Sequence, residues 1–410
     1  MNTSRNSPLV AESSVYCRVD SDPPADWAPY IHGHADATVF HDPRWATLMR
    51  DVYGNACFFL TARRRGTGVP PVSRMGVSPM QRGLGRGGSE SAGAATFSRE
   101  ETSANHATGE TPVGLMGETP MLRCVGVLAL VLQRSWLMGD RLCSLPYLDA
   151  SGVLTDDESA TAALLEEAGE LMLDLQTRWI ELRQERPLGG LPARCDKLTM
   201  RLTLPANPSA LMNGFRGKTR NQIRKALSFG MTSDVGGPER LAEFFHVYTR
   251  TMRDLGSPPH GLAFFRRLME VFGPAASVFV IRAGRRPVAA SLVLEDSRRV
   301  VVPWSGSDWR HGSGQANTML FWSMLAASSD RGVREFDFGR STRGGGTHVF
   351  KQKWGAVEVP LHWHYVLRPG QSPPTPRRGG PVAKLAAACW RKLPLHAVRV
   401  LGPRIIRKVS

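Results

Sequence analysis

A helix–hairpin unit occurs twice in this chain, and that repetition restricts the folds open to it more than any other feature. Residues 43–54 (PRWATLMRDVYG) and 261–273 (GLAFFRRLMEVFG) are both aromatic stretches of helical character. Each leads through a glycine-containing junction, GNA at 54–56 and GPAA at 273–276, into a strand–turn–strand pattern. The second copy of that pattern is continuous, SVFVIRAGRRPVAASLVLEDS at 277–297. The first is formed by CFFLTARR (57–64) and CVGVLALVLQRS (124–135), once residues 65–123 are set aside. A tandem duplication accounts for both copies. Chance recurrence of short amphipathic patterns is the alternative.

The interrupting segment has its own character. It is rich in Gly, Pro, Ser and Thr and has neither helical nor strand period. Its pieces TGVPPVSRMGVSPM (67–80) and TGETPVGLMGETPM (108–121) agree at eight of fourteen positions. This composition predicts a disordered insertion in the exposed turn of the first hairpin, where insertions are best tolerated. A small ligand-binding repeat is the other reading.

Elsewhere the pattern predicts a long helix over 156–183, capped by Asp156 or Asp157, and a strand over 198–205. One helix or two follow over 207–230, ending at Gly230, and another over 238–254. A strand over 298–308 runs into a loop, followed by a helix over 316–329. A strand over 333–341 and a closing strand over 359–367 complete the body. Antiparallel hairpins mixed with flanking helices mean an α+β or mixed-sheet α/β protein.

The chain of 410 residues is long enough for two or three domains, and its net charge is +16. Only eight of its 52 basic residues are lysine. Such a charge favours polyanionic partners, whether RNA, phosphorylated carriers or an anionic membrane. The basic residues lack interleaved aromatics, which argues against a nucleic-acid-binding protein, and no DNA partner is expected. Six scattered cysteines contain no C-x-x-C pair, so neither a disulfide framework nor a zinc site is expected, and a reducing cytoplasm fits. The first residues lack the apolar run of a signal peptide, and the longest apolar run, 125–132, is too short to span a bilayer. Residues 368–410 carry ten Lys/Arg and no acid. A Pro-rich linker there leads into a basic amphipathic segment, 384–410, which Pro394 and Pro403 should break into short helical pieces. That segment can lie on an anionic membrane or pack back on the body.

Chemistry concentrates in EFDFGRSTRGGGTHVFKQKWGA, 335–356. Its D-F-G triplet and glycine run share letters with kinases, but the chain has no H-R-D loop, no lysine in residues 1–196 and no Walker A pattern. Arg220 and Arg224, four apart, share one helical face that can hold phosphate or simply be solvated. His362 and His364 point to one side of a strand, yet no third ligand is evident, so no metal is expected. No Ser-His-Asp or Cys-His order stands out. Acyl transfer to an amine does not need one. The amine attacks an activated ester directly, and the enzyme orients the pair and stabilises the oxyanion with N–H groups or a cation. Lys351 is a candidate cation.

These stretches resemble the FemAB family, and within it the FemAB-like proteins associated with PEP-CTERM/exosortase and exopolysaccharide loci. The resemblance rests on KTRNQIRKALSFG (218–230), MRDLGSPPH (252–260), RRPVAASLVL (285–294), VPWSGSDWR (302–310), QANTMLFW (315–322), FDFGRSTRGGGTHVFKQKWGA (336–356) and VPLHWHY (359–365), with GDRLCSLPYLDASGVL (139–154) in the first half. It implies an α/β (mixed α+β) chain of tandem N-acetyltransferase-like (GNAT) domains, with central mixed sheets flanked by helices. The first domain would be 1–190, interrupted at 65–123, the second 191–367, and 368–410 a linker and tail. The implied activity is transfer of an acyl or aminoacyl group to an amine in cell-envelope or exopolysaccharide assembly. Better-known members use aminoacyl-tRNA and a lipid- or nucleotide-linked peptidoglycan precursor, and a Phe-Lys pair lines their active site. Phe350 and Lys351 occupy that place here. The donor would sit where two central parallel strands splay apart, near Trp304, Ser305, Asp337, Arg340 and Trp354. No helical arm for tRNA contact is recognisable, so acyl-CoA, an acyl carrier and aminoacyl-tRNA are all open as donor, with no tightly bound cofactor. The acceptor would be an amine-bearing glycan or envelope precursor. The protein would be cytoplasmic, or peripheral on the inner face of the cytoplasmic membrane. A non-catalytic GNAT-like scaffold for glycan machinery is the alternative.

Overall fold

The computed structural model describes residues 15–65, 122–135, 139–308, 310, 315–374 and 380–409. The expectation of disorder over 65–123 therefore falls almost wholly outside the described residues.

The first half runs β1 (Val15–Asp20), α1 (Trp27–Gly33), α2 (Arg44–Tyr53), β2 (Cys57–Arg65), β3 (Leu122–Gln133), β4 (Arg141–Cys143), α3 (Glu158–Asp174) and β5 (Trp179–Gln184). The second runs β6 (Ala193–Thr203), α4 (Pro208–Gly214), α5 (Gly217–Leu227), β7 (Met231–Gly236), α6 (Leu241–Leu255), α7 (Leu262–Phe272), β8 (Ala276–Ala283), β9 (Arg286–Glu295) and β10 (Arg299–Ser307). It continues with α8 (Gln315–Asp330), β11 (Glu335–Asp337), β12 (Ser341–Thr342), α9 (Gly346–Gln352) and β13 (Val357–Leu367). Two helices, α10 (Pro381–Lys392) and α11 (Leu395–Val409), follow.

The strands form one mixed sheet in the order β1-β2-β3-β4-β5-β13-β6-β11-β10-β9-β8-β7, with β12 also on β6. The repeat read from the sequence extends past the hairpin. Hairpin, strand, helix and parallel strand recur as β2-β3-β4-α3-β5 and β8-β9-β10-α8-β11. The parallel pairs are Leu142↔Ile180 with Cys143↔Glu181, and Arg299↔Glu335 through Val301↔Asp337. The two aromatic helices of the repeat meet, Trp45 of α2 lying 4.7 Å from Phe272 of α7.

Both faces of the sheet are covered, so strands such as β3 and β9 are apolar on both sides, whereas β5 alternates Ile180 and Leu182 with the buried Glu181 and Arg183. On one face a single core passes under both halves, taking Phe59 and Val131 with Leu292, Trp304 and Leu361. On the other face each half has its own core, Leu60, Leu130 and Leu164 in the first and Phe279, Phe321 and Phe336 in the second.

Four expectations are corrected. The helix expected over 156–183 ends at Asp174, and 179–184 is strand. Asp157 caps the helix, accepting from the Ser159 and Ala160 amides, but WIELR gains more from parallel pairing with β4 than from another helical turn. The strand expected over 333–341 is paired as β11 only for Glu335–Asp337, because the chain turns off at Phe338–Gly339. The closing strand closes no edge. β13 lies between β5, along His362–Leu367, and β6, along Val357–His364. Pro403 does not break α11 but lies inside it, its ring packed against Gly261.

The tail packs on the body. Val398 and Ile406 are buried, the Arg399 guanidinium lies 5.7 Å from the Phe245 ring, and Arg391 donates to the Asp254 carbonyl at 3.2 Å. Its outer side exposes Val382, Leu385, Val400, Leu401 and Ile405 among Lys384, Lys392, Arg404 and Lys408.

Two residues, Gly284 and Arg285, turn the second hairpin between the paired Ala283 and Arg286. Replacing residues 66–121 by Gly-Arg should leave a single cooperative unfolding transition, with a midpoint within a few degrees of wild type. Differential scanning calorimetry measures this, and loss of the cooperative transition would make the segment part of the core fold.

Candidate functional site

The D-F-G stretch ends the parallel pair β10–β11, where the two strands separate. Beyond Val301 the register of β10 against β9 shifts, and on the other side the chain turns away at Gly339. Gly339 has φ +76°, and a Cβ there would collide with the Val302 carbonyl, so only glycine fits. Asp337 holds this turn. Its carboxylate accepts from the Gly339 amide at 2.7 Å, from the Thr199 hydroxyl, and from Arg201 Nε at 3.1 Å. Phe338 stacks on Phe321 at 5.5 Å. The triplet is therefore a self-bonded strand end whose carboxylate is already occupied.

Lys351 on α9 completes the turn. Its Nζ donates to the Gly339 carbonyl at 2.7 Å and to the Arg340 carbonyl at 3.0 Å. The side chain is 6% exposed. Burial lowers its pKa to about 8, against the attraction of Asp337 and Asp149. An ammonium has three donors, and two are used here. The Arg340 side chain crosses to the first half and pairs with Asp149 at 2.8 Å.

Phe350 precedes Lys351 and so points about 100° away from it around the helix. It lies 5.2 Å from Phe321 and 6.1 Å from Trp354. Phe350, Trp354 and Lys353 line a cavity of about 200 Å³ together with Thr219, Gln222 and Gln315. Arg220 and Arg224 do not line it. Arg220 donates to the Asn213 and Phe215 carbonyls, closing the end of α4, while Arg224 is exposed beside Asn221. Trp304 is buried among Phe264, Phe265 and Trp45, and the neighbouring Ser305 is half-buried opposite Ser291 on β9. His362 contacts Cys195 at 3.2 Å, and His364 accepts from the Leu188 amide at 2.9 Å.

The structure thus gathers Asp337, Arg340 and Lys351 at one turn, sets Phe350 and Trp354 at a cavity beside it, and leaves Arg220 and Arg224 outside both. Several residues went unread in the sequence. Thr199 and Arg201 hold Asp337, and His348 joins the Gly344 amide (3.1 Å) to Glu358 (2.7 Å). The loop after β4 supplies Asp149 and Tyr147, and Leu145 and Tyr147 there have φ of 52° and 75°, strained for side-chain-bearing residues. GDRLCSLPYLDASGVL flagged this loop, but sequence carries no sign of such φ values. MRDLGSPPH likewise holds His260, which is buried between the halves. Its Nδ1 lies 2.5 Å from the Tyr53 hydroxyl, and its ring stacks on Phe264 at 4.3 Å and meets Tyr147 edge-on at 4.9 Å.

Residues 213–352 match the family model described as acetyltransferase (GNAT) domain. That stretch holds β7 to β11 and Lys351, so the similarity to the GNAT model lies in the second half. No curated protein matches the sequence. Among solved structures, that of FemX is similar over 84% of this chain and 96% of its own, with a TM-score of 0.57 at 12% identity. A tandem GNAT protein from the clavulanic acid biosynthesis pathway covers 86% of this chain and 97% of its own, with a TM-score of 0.47 at 10% identity. L-PGS from Bacillus licheniformis covers 66% and 87%, with a TM-score of 0.44 at 15% identity. The likeness to FemX spans both halves, and the repeated strand order sets the fold as tandem GNAT-like, as the sequence implied.

His260 gives a pH signature. Burial lowers its pKa from 6.5 to about 3, so the folded protein keeps it neutral. The unfolded chain gains the proton first as pH falls. Its contribution is complete above pH 6.5 and is lost on the way down to 3, by about 2 kcal/mol between pH 6.5 and 5. The urea midpoint should therefore fall more between pH 7.5 and 5.0 for wild type than for His260→Gln. Equal falls would remove His260 as the cause.

Proposed function

We propose that this protein is an N-acyltransferase that moves an activated acyl or aminoacyl group to an amine. The observation carrying this reading is a buried cation, Lys351, at the point where the parallel strands of a GNAT domain separate. The amine attacks the acyl carbonyl, forming the C–N bond and an oxyanion beside the third Lys351 donor; the oxyanion then collapses to the amide carbonyl, the bond to the leaving group breaks with its electron pair, and the amine proton passes to solvent. Phe350 and Trp354 would line the donor cavity, and Asp337 and Arg340 would position Lys351. Trp304 and Ser305 would border the splayed strands. Arg220 and Arg224 would meet phosphate only at the outer surface of α5. We take 1–190 and 191–367 as the two domains. Acyl-CoA, an acyl carrier and aminoacyl-tRNA stand as donors, and an amine-bearing glycan or envelope precursor as acceptor. The resemblance to FemAB-like proteins of PEP-CTERM/exosortase loci supports a role in exopolysaccharide assembly.

A second reading, a non-catalytic scaffold, is favoured by one observation: the Lys351 ammonium is 6% exposed and bound to two carbonyls. Labelled acyl-CoA and aminoacyl-tRNA pools offered with envelope precursors decide between them. Wild type should transfer label, Lys351→Ala should lose at least about a hundredfold, as for loss of an oxyanion donor, and the rate should fall above about pH 8, where Lys351 loses its charge. Transfer by neither protein from any donor favours the scaffold, and equal transfer by both retires Lys351.

No helix among the described residues is long and apolar enough to cross a membrane. We place the protein on the inner face of the cytoplasmic membrane through the apolar and basic outer side of α10 and α11. It should float with anionic vesicles at low salt and be released by high salt or by Leu385→Asp with Leu401→Asp. Failure to float at low salt would remove this placement.

A further inference from the structure

Strands β6 and β13 lose register at one point, and a thiol and an imidazole meet there. Leu361 pairs with Lys197 and Trp363 with Arg194, so His362 faces two residues of β6, Cys195 and Asp196. A bulge of this kind re-aims the side chains that form it. Here it brings Cys195 Sγ to 3.2 Å from His362 Nδ1. His362 precedes Trp363 on the strand and therefore stands on the opposite face, away from the core that the two halves share. Strand pairing alone makes this contact, because the two residues are 167 positions apart in the chain.

At that distance the imidazole can take the thiol proton and leave a thiolate, the form of cysteine that attacks. The neighbouring His364 sets no second charge against the pair. Its Nε2 accepts from the Leu188 amide at 2.9 Å, its Nδ1 lies 3.4 Å from the Leu191 carbonyl, and burial lowers its pKa, so it is held neutral. The other five cysteines lack either access or a base. Cys57, Cys124 and Cys143 are buried, and burial pushes each thiol up to about 11. Cys17 is half-buried, and burial with the nearby Glu167 pushes it up to about 12. Cys389 is exposed on α10, with no base hydrogen-bonded to it among the described residues. Cys195 combines exposure with a base in contact.

We propose that Cys195 and His362 form a thiol-modification site that reacts with low-molecular-weight disulfides. His362 takes the thiol proton and the Cys195 thiolate attacks one sulfur of the disulfide. The new S–S bond forms as the old one breaks, and the departing thiolate takes the proton from His362. Cys195 is oxidised to a mixed disulfide, and the other half of the reagent is reduced to a thiol. Disulfide exchange suits this pair better than capture of an acyl group. Acyl capture needs donors aimed at an oxyanion, and the cations on either side are turned elsewhere. Lys197 Nζ bonds Thr342 at 2.8 Å and Asp196 at 3.0 Å, and Arg194 pairs with Asp196 at 2.8 Å. Exchange needs only a thiolate and access. Neither Cys195 nor His362 is among the residues that hold Lys351 or line the cavity at Phe350, so the site stands apart from the acyl-transfer reading.

Glutathione disulfide is the probe that tests this. The reduced full chain is incubated with it, quenched in acid at timed intervals and digested, and mass spectrometry follows each cysteine separately. Cys195 should gain a glutathione adduct, released by dithiothreitol, at least about tenfold faster than Cys389, the exposed thiol without a base. His362→Gln should remove most of that advantage and leave the rate at Cys389 unchanged. Cys57, Cys124 and Cys143 report folding in the same digest, because they stay unmodified only while they are buried. His362→Phe, which keeps a ring on the strand, should give the same result as His362→Gln, so the reading does not hang on one variant. Three results would overturn the proposal. One is no adduct at Cys195. Another is equal rates at Cys195 and Cys389 in wild type, a comparison that holds however the variants fold. The third is an undiminished rate at Cys195 in a folded His362 variant, which would make the imidazole a bystander.

Discussion

Strand β13 is the interaction on which the rest of this structure depends. It is the last strand of the sheet in the chain, yet it lies at the middle, bonded on one side to β5 and on the other to β6. Without it each half would present a row of unpaired amides and carbonyls, open to any other strand. With it the two halves share one sheet and one continuous core on the face that holds Leu361 and Trp363. Trp363 and Tyr365 stand between Arg183, Glu181 and Arg194 only because β13 lies between the strands carrying them.

The turn at 337–340 is held by charge rather than by apolar packing alone. Asp337 bonds the amide of Gly339 and Lys351 bonds its carbonyl, so an anion and a cation fix one residue from its two sides. Arg201 and Thr199 hold the anion in place. Burial without a direct carboxylate partner is what lowers the pKa of Lys351, and it allows the ammonium to respond to a new negative charge. A surface lysine would stay charged, but water would solvate and screen its ammonium.

Much of the fold was legible. Both hairpins, the aromatic helices α2 and α7, and the α8 helix lie close to where periodicity places them. The misreading of 175–183 has a plain cause. TRWIELR continues the charge and apolar spacing of the helix before it, and only the neighbouring β4 makes strand the better state. Phe350 and Lys351 were legible as a pair but not as two side chains serving different places, since that depends on the axis of a seven-residue helix. Arg220 and Arg224 read as a phosphate face, and Arg220 instead bonds the end of the preceding helix.

The sequence by itself determined the repeat, the α/β class and the concentration of chemistry in 335–356, because these follow from local preference and periodicity. Tertiary structure alone decided that the final strand enters the middle of the sheet. It also decided that Asp149 meets Arg340 and that three arginines surround Trp363. Those contacts join residues up to about two hundred positions apart in the chain. Local backbone preference does not encode such distances; burial and strand pairing in the assembled sheet do.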